Sequence, residues 1–437
     1  MSLKFAELSF DSQIIMSMSV MLVCGFATTR ITQKFRLPDV TAYIITGILI
    51  GPFCLDLIPD KIISGMDFIA DIALSFIAFS TGEYFKKSNM GKESGKILII
   101  TVFESVSAAV AVFAASFFVL KLRMDFSLIL GALACATAPA STLMTIRQTH
   151  AKGDFVNILL QVVALDDVVG LVAYSAAIAL TKAASGGHFQ ARNAVIPILL
   201  NAAVFVLGSL FGFFMKLSIP KRSRDNRLII SVALLFTFCG ICTALEVSPL
   251  LGCMSMGMVY VNTTGDCELF AQLNNFSPPI LMLFFVRSGL NFDLSALFNA
   301  TDSAGSTPLL SVGVTYFFAR IAGKYAGAYA GCALTGKEAS IRQNLGLALI
   351  PQAGVAIGLA ALGARALGGE NGKALETVIL ASSVLYELAG PACAKLSLYL
   401  SGAYAKERET KEYENDLVNK GSEESADASF LQKRKGS

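Results

Sequence analysis

Long apolar runs alternate with short polar connections along nearly the whole chain of 437 residues. An α-helix needs about 20 residues to cross the hydrocarbon core of a bilayer. Measured against that length, the apolar runs predict roughly thirteen membrane-spanning helices. Their approximate limits are 12–31, 38–54, 66–84, 96–120, 126–147, 155–181, 193–216, 227–245, 248–262, 276–290, 307–333, 339–363 and 374–402. The pattern therefore predicts an all-α, multi-pass membrane protein.

The composition agrees with this class and argues against others. Hydrophobic residues make up 54% of the chain and charged residues 15%, whereas soluble domains carry about 25% charged residues. A transmembrane β-barrel would instead show segments of about 10 residues with alternating polarity. The net charge of +3 is too small to indicate a nucleic-acid partner. The one Cys-x-x-Cys spacing, Cys239 to Cys242, lies in an apolar run, so no cofactor is expected.

Lysine and arginine are concentrated on one side of the predicted spans, in segments 30–36, 86–96, 147–152, 221–227 and 337–342. Basic loops favour the cytoplasm, which puts the N-terminus outside and the C-terminus in the cytoplasm of a cell (inner) membrane protein. Lys121 and Arg123 are exceptions, because they lie on the opposite side of the predicted spans. Residues 1–404 form the predicted transmembrane domain. Residues 405–437 are a highly charged cytoplasmic tail with too little apolar surface to fold alone.

Two adjacent carboxylates, Asp166 and Asp167, interrupt the apolar run at 155–181. A charge at the centre of a membrane helix costs at least about 2.5–3.5 kcal/mol, so intramembrane acids usually carry ions or protons. Adjacent helical residues point about 100° apart. The two acids are therefore expected to face different surroundings and to do different things.

Two predicted spans contain proline near the middle, at Pro139 and Pro351. Proline removes a backbone donor and disrupts a helix, and the hydroxyls of Thr137 and Ser141 are placed to satisfy the freed groups. A simple proline kink is the alternative. Two interrupted spans, one in each half of the chain, are typical of inverted-repeat transporters, in which the broken helices hold the ion near the midplane.

Lys324 lies within an otherwise apolar span rich in small residues. It either extends toward the membrane interface or pairs with one of the aspartates as a buried ammonium. Further charged residues within predicted spans are expected in structural pairs or at interfaces, and they are Asp71, Glu83, Glu104, Arg287, Arg320, Glu387 and Lys395. Glu104 is the most interesting of them because it lies well inside its span.

Five stretches resemble the monovalent cation:proton antiporters of the sodium/proton exchanger type. They are 36–52, which reads RLPDVTAYIITGILIGP, the Leu165-Asp166-Asp167 motif, 284–294, Arg320 to Lys324, and 386–391. The double aspartate is similar to the motif of the electrogenic branch of that superfamily. The resemblance covers most of residues 30–395.

The resemblance implies a homodimer in membrane lipid with scaffold and core domains, an elevator motion and two crossed discontinuous helices. It also implies that Asp167 is the principal carboxylate for the cation, taken to be sodium, and for the proton. Asp166 would pair with Lys324 and release it when the cation binds. Thr137, Ser141 and the backbone near the breaks would complete the site.

The expected function is antiport of sodium or lithium against protons, electrogenic if two protons enter for each sodium that leaves. Potassium/proton exchange on the same fold is the nearest alternative. A cation channel is a further one, and it would need no obligatory coupling to protons. Two departures from the family pattern, Arg287 and Ala138, bear on ion selectivity.

Overall fold

The structure is a computed structural model that describes residues 9–32, 34, 39–52, 54–87, 94–138, 142, 145–146, 149–185, 191–219, 223–245, 247–292, 308–352 and 354–403. The predicted tail at 405–437 lies outside the described residues, as do Pro139 and Ser141 of the first predicted break.

The described residues form sixteen α-helices. Helices predominate because lipid offers no partners to backbone polar groups, which must be satisfied within each segment. The helices are α1 Phe10–Thr32, α2 Asp39–Ile50, α3 Asp60–Gly65, α4 Asp67–Thr81, α5 Ser94–Ala114, α6 Met124–Leu133, α7 Asp154–Ser185, α8 Ala191–Ser218, α9 Arg224–Ala244, α10 Leu250–Thr264, α11 Glu268–Phe276, α12 Pro278–Leu290, α13 Leu309–Leu334, α14 Ala339–Ala348, α15 Gly354–Leu367 and α16 Gly369–Leu400.

Seven helical segments of the described residues are long and apolar enough to cross a membrane. They are Phe10–Thr32, Asp67–Phe85, Gly95–Val119, Asp154–Thr181, Leu199–Ser218, Arg224–Ala244 and Gly369–Leu400. Helices α11 and α12, bent by 48° at their junction, make an eighth if they are counted as one span. Three shorter apolar helices, α2, α6 and α15, lie where other spans are predicted. The all-α membrane class is thus confirmed, and the count of roughly thirteen spans stays a prediction.

The helices pack mainly in two sets. The first set contains α1–α4 and α8–α12, and the second contains α5–α7 and α13–α16. Within the second set, α5 and α13 pack closely because Gly327 leaves room for the facing backbone: a Cβ there would lie 2.5 Å from the Phe103 carbonyl oxygen and 2.6 Å from Glu104 Cα. This close approach brings α5 alongside the turn of α13 that carries Lys324.

Two helix interruptions meet inside the second set. Helix α6 ends at Leu133 and is followed by the non-helical segment 134–138, and α14 ends at Ala348, before Pro351 and the start of α15. The Ala138 amide donates a hydrogen bond of 2.9 Å to the Pro351 carbonyl oxygen. The two interruptions are therefore in direct backbone contact, and the carbonyls freed at each helix end need other donors.

Candidate functional site

The acids Asp166 and Asp167 lie deep within α7, a helix of 32 residues, and both are buried. Asp166 accepts hydrogen bonds from the hydroxyls of Ser105 and Thr137. It also lies 2.6 Å from Lys324 Nζ through Oδ2. A buried carboxylate with an ammonium and two hydroxyl donors is well satisfied as an ion.

Lys324 contacts four oxygen atoms from three segments of the chain. Its Nζ lies 2.6 Å from Asp166 Oδ2, 2.8 Å from Glu104 Oε2, 2.9 Å from Thr137 Oγ1 and 2.5 Å from the Cys135 carbonyl oxygen. Its side chain is 0% exposed. Lys324 therefore does not extend to the membrane interface, and the buried pairing with Asp166 is the arrangement that the structure contains.

Glu104 brings a third carboxylate to this cluster. It is fully buried on α5, and its Oε1 accepts a hydrogen bond of 3.2 Å from the Ser105 hydroxyl, which also reaches Asp166. Lys324 thus has two carboxylate partners on different helices. Sequence reasoning favoured a structural pair or an interfacial position for Glu104, and it singled out this residue among the intramembrane charges without identifying its partner. The signal that was available is the glycine at 327, which permits α5 to lie against the turn that carries the lysine.

Asp167 has a different environment from its neighbour. Its Oδ1 is buried and accepts no hydrogen bond from the residues that the structure describes. An ionised carboxylate without donors in a buried site is costly, so such a group binds a cation or a proton readily. The two aspartates therefore differ as helix geometry predicts: Asp166 is satisfied by protein groups, whereas Oδ1 of Asp167 has no donor among the described residues.

The interrupted ends of α6 and α14 are held by the fully buried Arg320. Its guanidinium donates to the carbonyl oxygens of Ala134 at 2.9 Å, Ala136 at 2.6 Å and Ile350 at 2.7 Å. Carbonyls at the C-terminal end of a helix carry partial negative charge, which stabilises a cation. Arg320 thus joins the two interruptions. Its charge was expected in a structural pair or at an interface, whereas here it lies on backbone carbonyls.

Gln352 makes a second connection between the interruptions. Its side-chain amide donates to the Leu133 carbonyl oxygen at 2.8 Å, while its Oε1 accepts from the Tyr316 hydroxyl at 3.0 Å. Sequence reasoning did not single out Gln352. Freed carbonyls in a buried break require donors, and a glutamine beside Pro351 was the available signal.

Most of the predicted site residues lie close together. The structure brings Asp166, Thr137 and Lys324 into contact, with Asp167 next to them on α7, and places Pro351 in the second interruption. Pro139 and Ser141 lie outside the described residues. The cluster offers carboxylate, hydroxyl and carbonyl oxygens, the ligand types that hard cations prefer.

Comparison with known proteins gives a family match over most of the chain. The family described as "Sodium/hydrogen exchanger, transmembrane" matches residues 18–389. The chain is 25% identical over 213 residues to the high-affinity Na(+)/H(+) antiporter NhaS3 of Synechocystis sp., covering 47% of this chain and 44% of that protein. It is 23% identical over 295 residues to the ammonium/H(+) antiporter subunit AmhT of Alkalihalophilus pseudofirmus, covering 64% of this chain and 70% of that one. The alignment thus spans less than half the length of the first relative.

The fold is also similar to a solved structure. The sodium proton antiporter MjNhaP1 from Methanocaldococcus jannaschii, determined at pH 8, matches with a TM-score of 0.72 and 19% sequence identity. The match covers 89% of this chain and 99% of that one. At this level of identity, the likeness shows a shared fold.

Proposed function

The chain belongs to the sodium/hydrogen exchanger family, and from that premise we propose that it exchanges sodium or lithium for protons. It is a multi-pass membrane protein and a transporter, not an enzyme. The observation that carries the proposal is the contrast between the two buried aspartates. Asp166 is held by Lys324 and two hydroxyls, whereas Asp167 Oδ1 accepts no hydrogen bond from the described residues.

Asp167 is the group at which the cation and the proton compete. A carboxylate removed from water is favoured either with a bound cation or as the protonated acid, because both forms cancel its charge. Asp166, Thr137, Ser141 and carbonyls near Pro139 and Pro351 complete the oxygen ligands. One site that accepts either ion, but not both together, couples their opposite movements.

The exchange is proposed to be electrogenic, and Glu104 is proposed to carry the second proton. When Asp166 turns from Lys324 toward the cation, Lys324 keeps Glu104, 2.8 Å away, as its partner. In that step Glu104, which is protonated while Asp166 holds the ammonium, releases the second proton and becomes the carboxylate partner of Lys324. Two protons then enter for each cation that leaves, and the membrane potential contributes about 2.3 kcal/mol per 100 mV for the net charge moved.

The architecture proposed for this exchange is that of an inverted-repeat transporter with roughly thirteen spans. The contact between the interruptions near Ala138 and Pro351 supports crossed discontinuous helices. The two packing sets support a division into a scaffold and a moving core. The homodimer, the cytoplasmic C-terminus and the inner-membrane location remain proposals on the same premise.

Other monovalent cations are the nearest alternatives. Potassium fits the same oxygen ligands, and the relative named as an ammonium/H(+) antiporter subunit adds ammonium to the candidates. A channel is less well supported, because a fully buried lysine with two carboxylate partners suits proton coupling more than continuous conduction.

Proteoliposomes that contain a pH-sensitive dye test the proposal. Sodium, lithium, potassium and ammonium are each added with and without an imposed membrane voltage. We expect sodium or lithium to give the largest proton flux, voltage to change its rate, and Asp167→Asn to abolish it. Asp154→Asn, an exposed acid at the start of the same helix, is the matched control and should keep the flux. Full flux in Asp167→Asn would reject the assignment of the site.

The role of Glu104 has its own test in the same vesicles. Glu104→Gln removes a titratable group but keeps its size and a polar contact to Lys324. We expect exchange to persist and to lose its dependence on voltage, because one proton fewer then moves per cycle. Unchanged voltage dependence would assign the second proton to Lys324 alone.

A further inference from the structure

A polar cavity of about 270 Å³ lies where α4 and α12 of the first set meet α15 and α16 of the second. Its charged lining residues are Asp67, Arg287, Arg365, Lys373 and Glu376. The cavity lies at the end of the molecule where α4 and α16 begin, which is opposite the end that leads into the C-terminal tail. The predicted orientation puts this end outside the cell.

One ion pair beside the cavity joins the two sets directly. Arg365 of α15 donates through both terminal nitrogens to Asp71 of α4, at 2.8 Å and 3.2 Å. The arginine side chain is 40% exposed, whereas that of Asp71 is buried. The bidentate geometry fixes the relative position of α15 and α4, while the exposure of the arginine lets water replace the contact.

A second group of contacts joins α12 to α16. Arg287 forms an ion pair with Asp67 of its own set, and its Nη1 lies 3.9 Å from Glu376 Oε1 of the second set. Asn291 donates to the other oxygen of Glu376 at 3.3 Å. The arginine that departs from the family pattern therefore lies in a cross-set cluster of charges.

Two side chains of α7 lie between the aspartates and the end of that helix that faces the cavity side of the molecule, and Tyr174 reaches α15, where its hydroxyl would lie 3.5 Å from a Cβ at Gly363. Leu171 and Tyr174 follow Asp167 on α7 by about one and two turns, in the direction of the cavity end. Both side chains are buried. The cross-set contacts and these two buried side chains occur at the same end of the molecule.

We propose that Arg365–Asp71 and the cluster of Arg287, Asn291 and Glu376 form an ionic latch that holds this end closed and opens in every transport cycle. The proposal rests on the proposed function, because alternating access requires each end of the site to open in turn. The Lys324 cluster lies wholly within the second set and can move with it. The latch crosses between the sets, so any movement of α15 and α16 away from α4 and α12 must break it.

Reversible cross-linking tests the latch. Asp71→Cys and Arg365→Cys are introduced together in a background that carries Cys54→Ser and Cys267→Ser, which removes the exposed native thiols of the described residues. A short bifunctional methanethiosulfonate reagent then joins the two new cysteines. We expect exchange to stop on cross-linking and to return when dithiothreitol releases the link, because the closed end can no longer open.

The matched control cross-links a pair inside one set. Arg227→Cys with Asp266→Cys replaces a contact between the start of α9 and the connection from α10 to α11. The same reagent should leave its exchange unchanged. If the cross-linked Asp71→Cys/Arg365→Cys protein still exchanges at its uncross-linked rate, the latch is rejected while the proposed function stands. Absence of exchange in the wild type would overturn the proposed function, and the latch with it.

A second measurement uses accessibility and does not depend on forming the link. Leu171 is buried, and Leu171→Cys reports the access of water to this part of α7 through its labelling by a membrane-impermeant thiol reagent, applied in parallel to intact cells and to inside-out vesicles. Arg365→Gln should raise the labelling rate on one face about two- to fivefold, the change expected for a partly exposed ion pair. The control is Arg123→Gln, which removes the local pair of Arg123 with Asp125 at the start of α6. Equal labelling rates in the two variants would contradict the latch.

Discussion

The cluster around Lys324 and the latch beside the polar cavity are both built from ion pairs, but they differ in burial and in what they join. Lys324, Glu104 and Asp166 are fully buried and belong to the same packing set. Arg365 of the latch is 40% exposed, and its partner Asp71 belongs to the other set. Lys324 in the first group needs a carboxylate partner at every stage, whereas Arg365 in the second group can exchange its partner for water.

This difference suggests that the residues around Lys324 move together during transport, whereas the residues of the latch separate. Breaking a fully buried pair leaves an uncompensated charge and costs several kcal/mol, so the Lys324 cluster can rearrange its partners but cannot lose them. A pair that is partly exposed contributes about 0–1 kcal/mol and opens easily. The site is therefore suited to travel intact, and the latch is suited to open.

The largest effect is expected from removal of the buried ammonium. Lys324→Gln leaves Asp166 and Glu104 without their cation and should lower the free energy of unfolding by about 3–5 kcal/mol. Because the chain contains no Trp, unfolding in detergent is best followed by circular dichroism. A loss below about 1 kcal/mol would place this cluster in the same class as exposed pairs.

A smaller loss is expected at the junction of the two interruptions. Arg320→Gln removes donors from the carbonyls of Ala134, Ala136 and Ile350. A buried polar group left without a partner costs about 1–3 kcal/mol. Unfolding experiments in the same detergent should find this loss. An unchanged stability would mean that the carbonyls are satisfied in another way.

The latch should contribute less than either buried group. Arg365→Gln is expected to lower the free energy of unfolding by about 1 kcal/mol or less, because the arginine is partly exposed. The comparison with Lys324→Gln under identical conditions is the informative one. A larger loss of unfolding free energy for Arg365→Gln than for Lys324→Gln would contradict the view that the latch is the weaker of the two groups.

The smallest difference between the two regions is expected in their response to salt. Exposed charges are screened over about 8–10 Å at physiological ionic strength, and buried pairs are screened much less. Raising the concentration of choline chloride should increase labelling of Leu171→Cys about twofold in the otherwise wild-type protein. With Arg365→Gln added, the effect should shrink. An equal effect of salt on labelling with and without Arg365 would show that the latch does not control the accessibility of Leu171→Cys.

Much of the fold could be predicted from the sequence, because membrane helices are specified locally. Apolar length and Lys/Arg bias need no knowledge of partners, and the family resemblance over 30–395 is confirmed by the match over 18–389. The electrogenic branch and the orientation stay predictions. The pairing of Asp166 with Lys324 was implied by the resemblance, and the structure contains it at 2.6 Å.

What the sequence did not predict depends on contacts between distant helices. Glu104 could be recognised as a buried charge, but its partner lies on α13, more than two hundred residues away. Arg320 was expected in a structural pair or at an interface, because a periodic pattern does not reveal which carbonyls two helix interruptions leave free. Arg287 was noted as a departure from the family, and its partners Asp67 and Glu376 became evident only in the fold.

Cation-induced proton release tests the central claim most directly, namely that Asp167 is the carboxylate shared by cation and proton. Sodium, lithium, potassium or ammonium chloride is added to purified protein in weak buffer with a pH-sensitive dye, and released protons are counted against choline chloride. The account predicts proton release from the wild type and from Asp154→Asn with at least one of these cations, and none from Asp167→Asn. Release from Asp167→Asn equal to that of the wild type would contradict it.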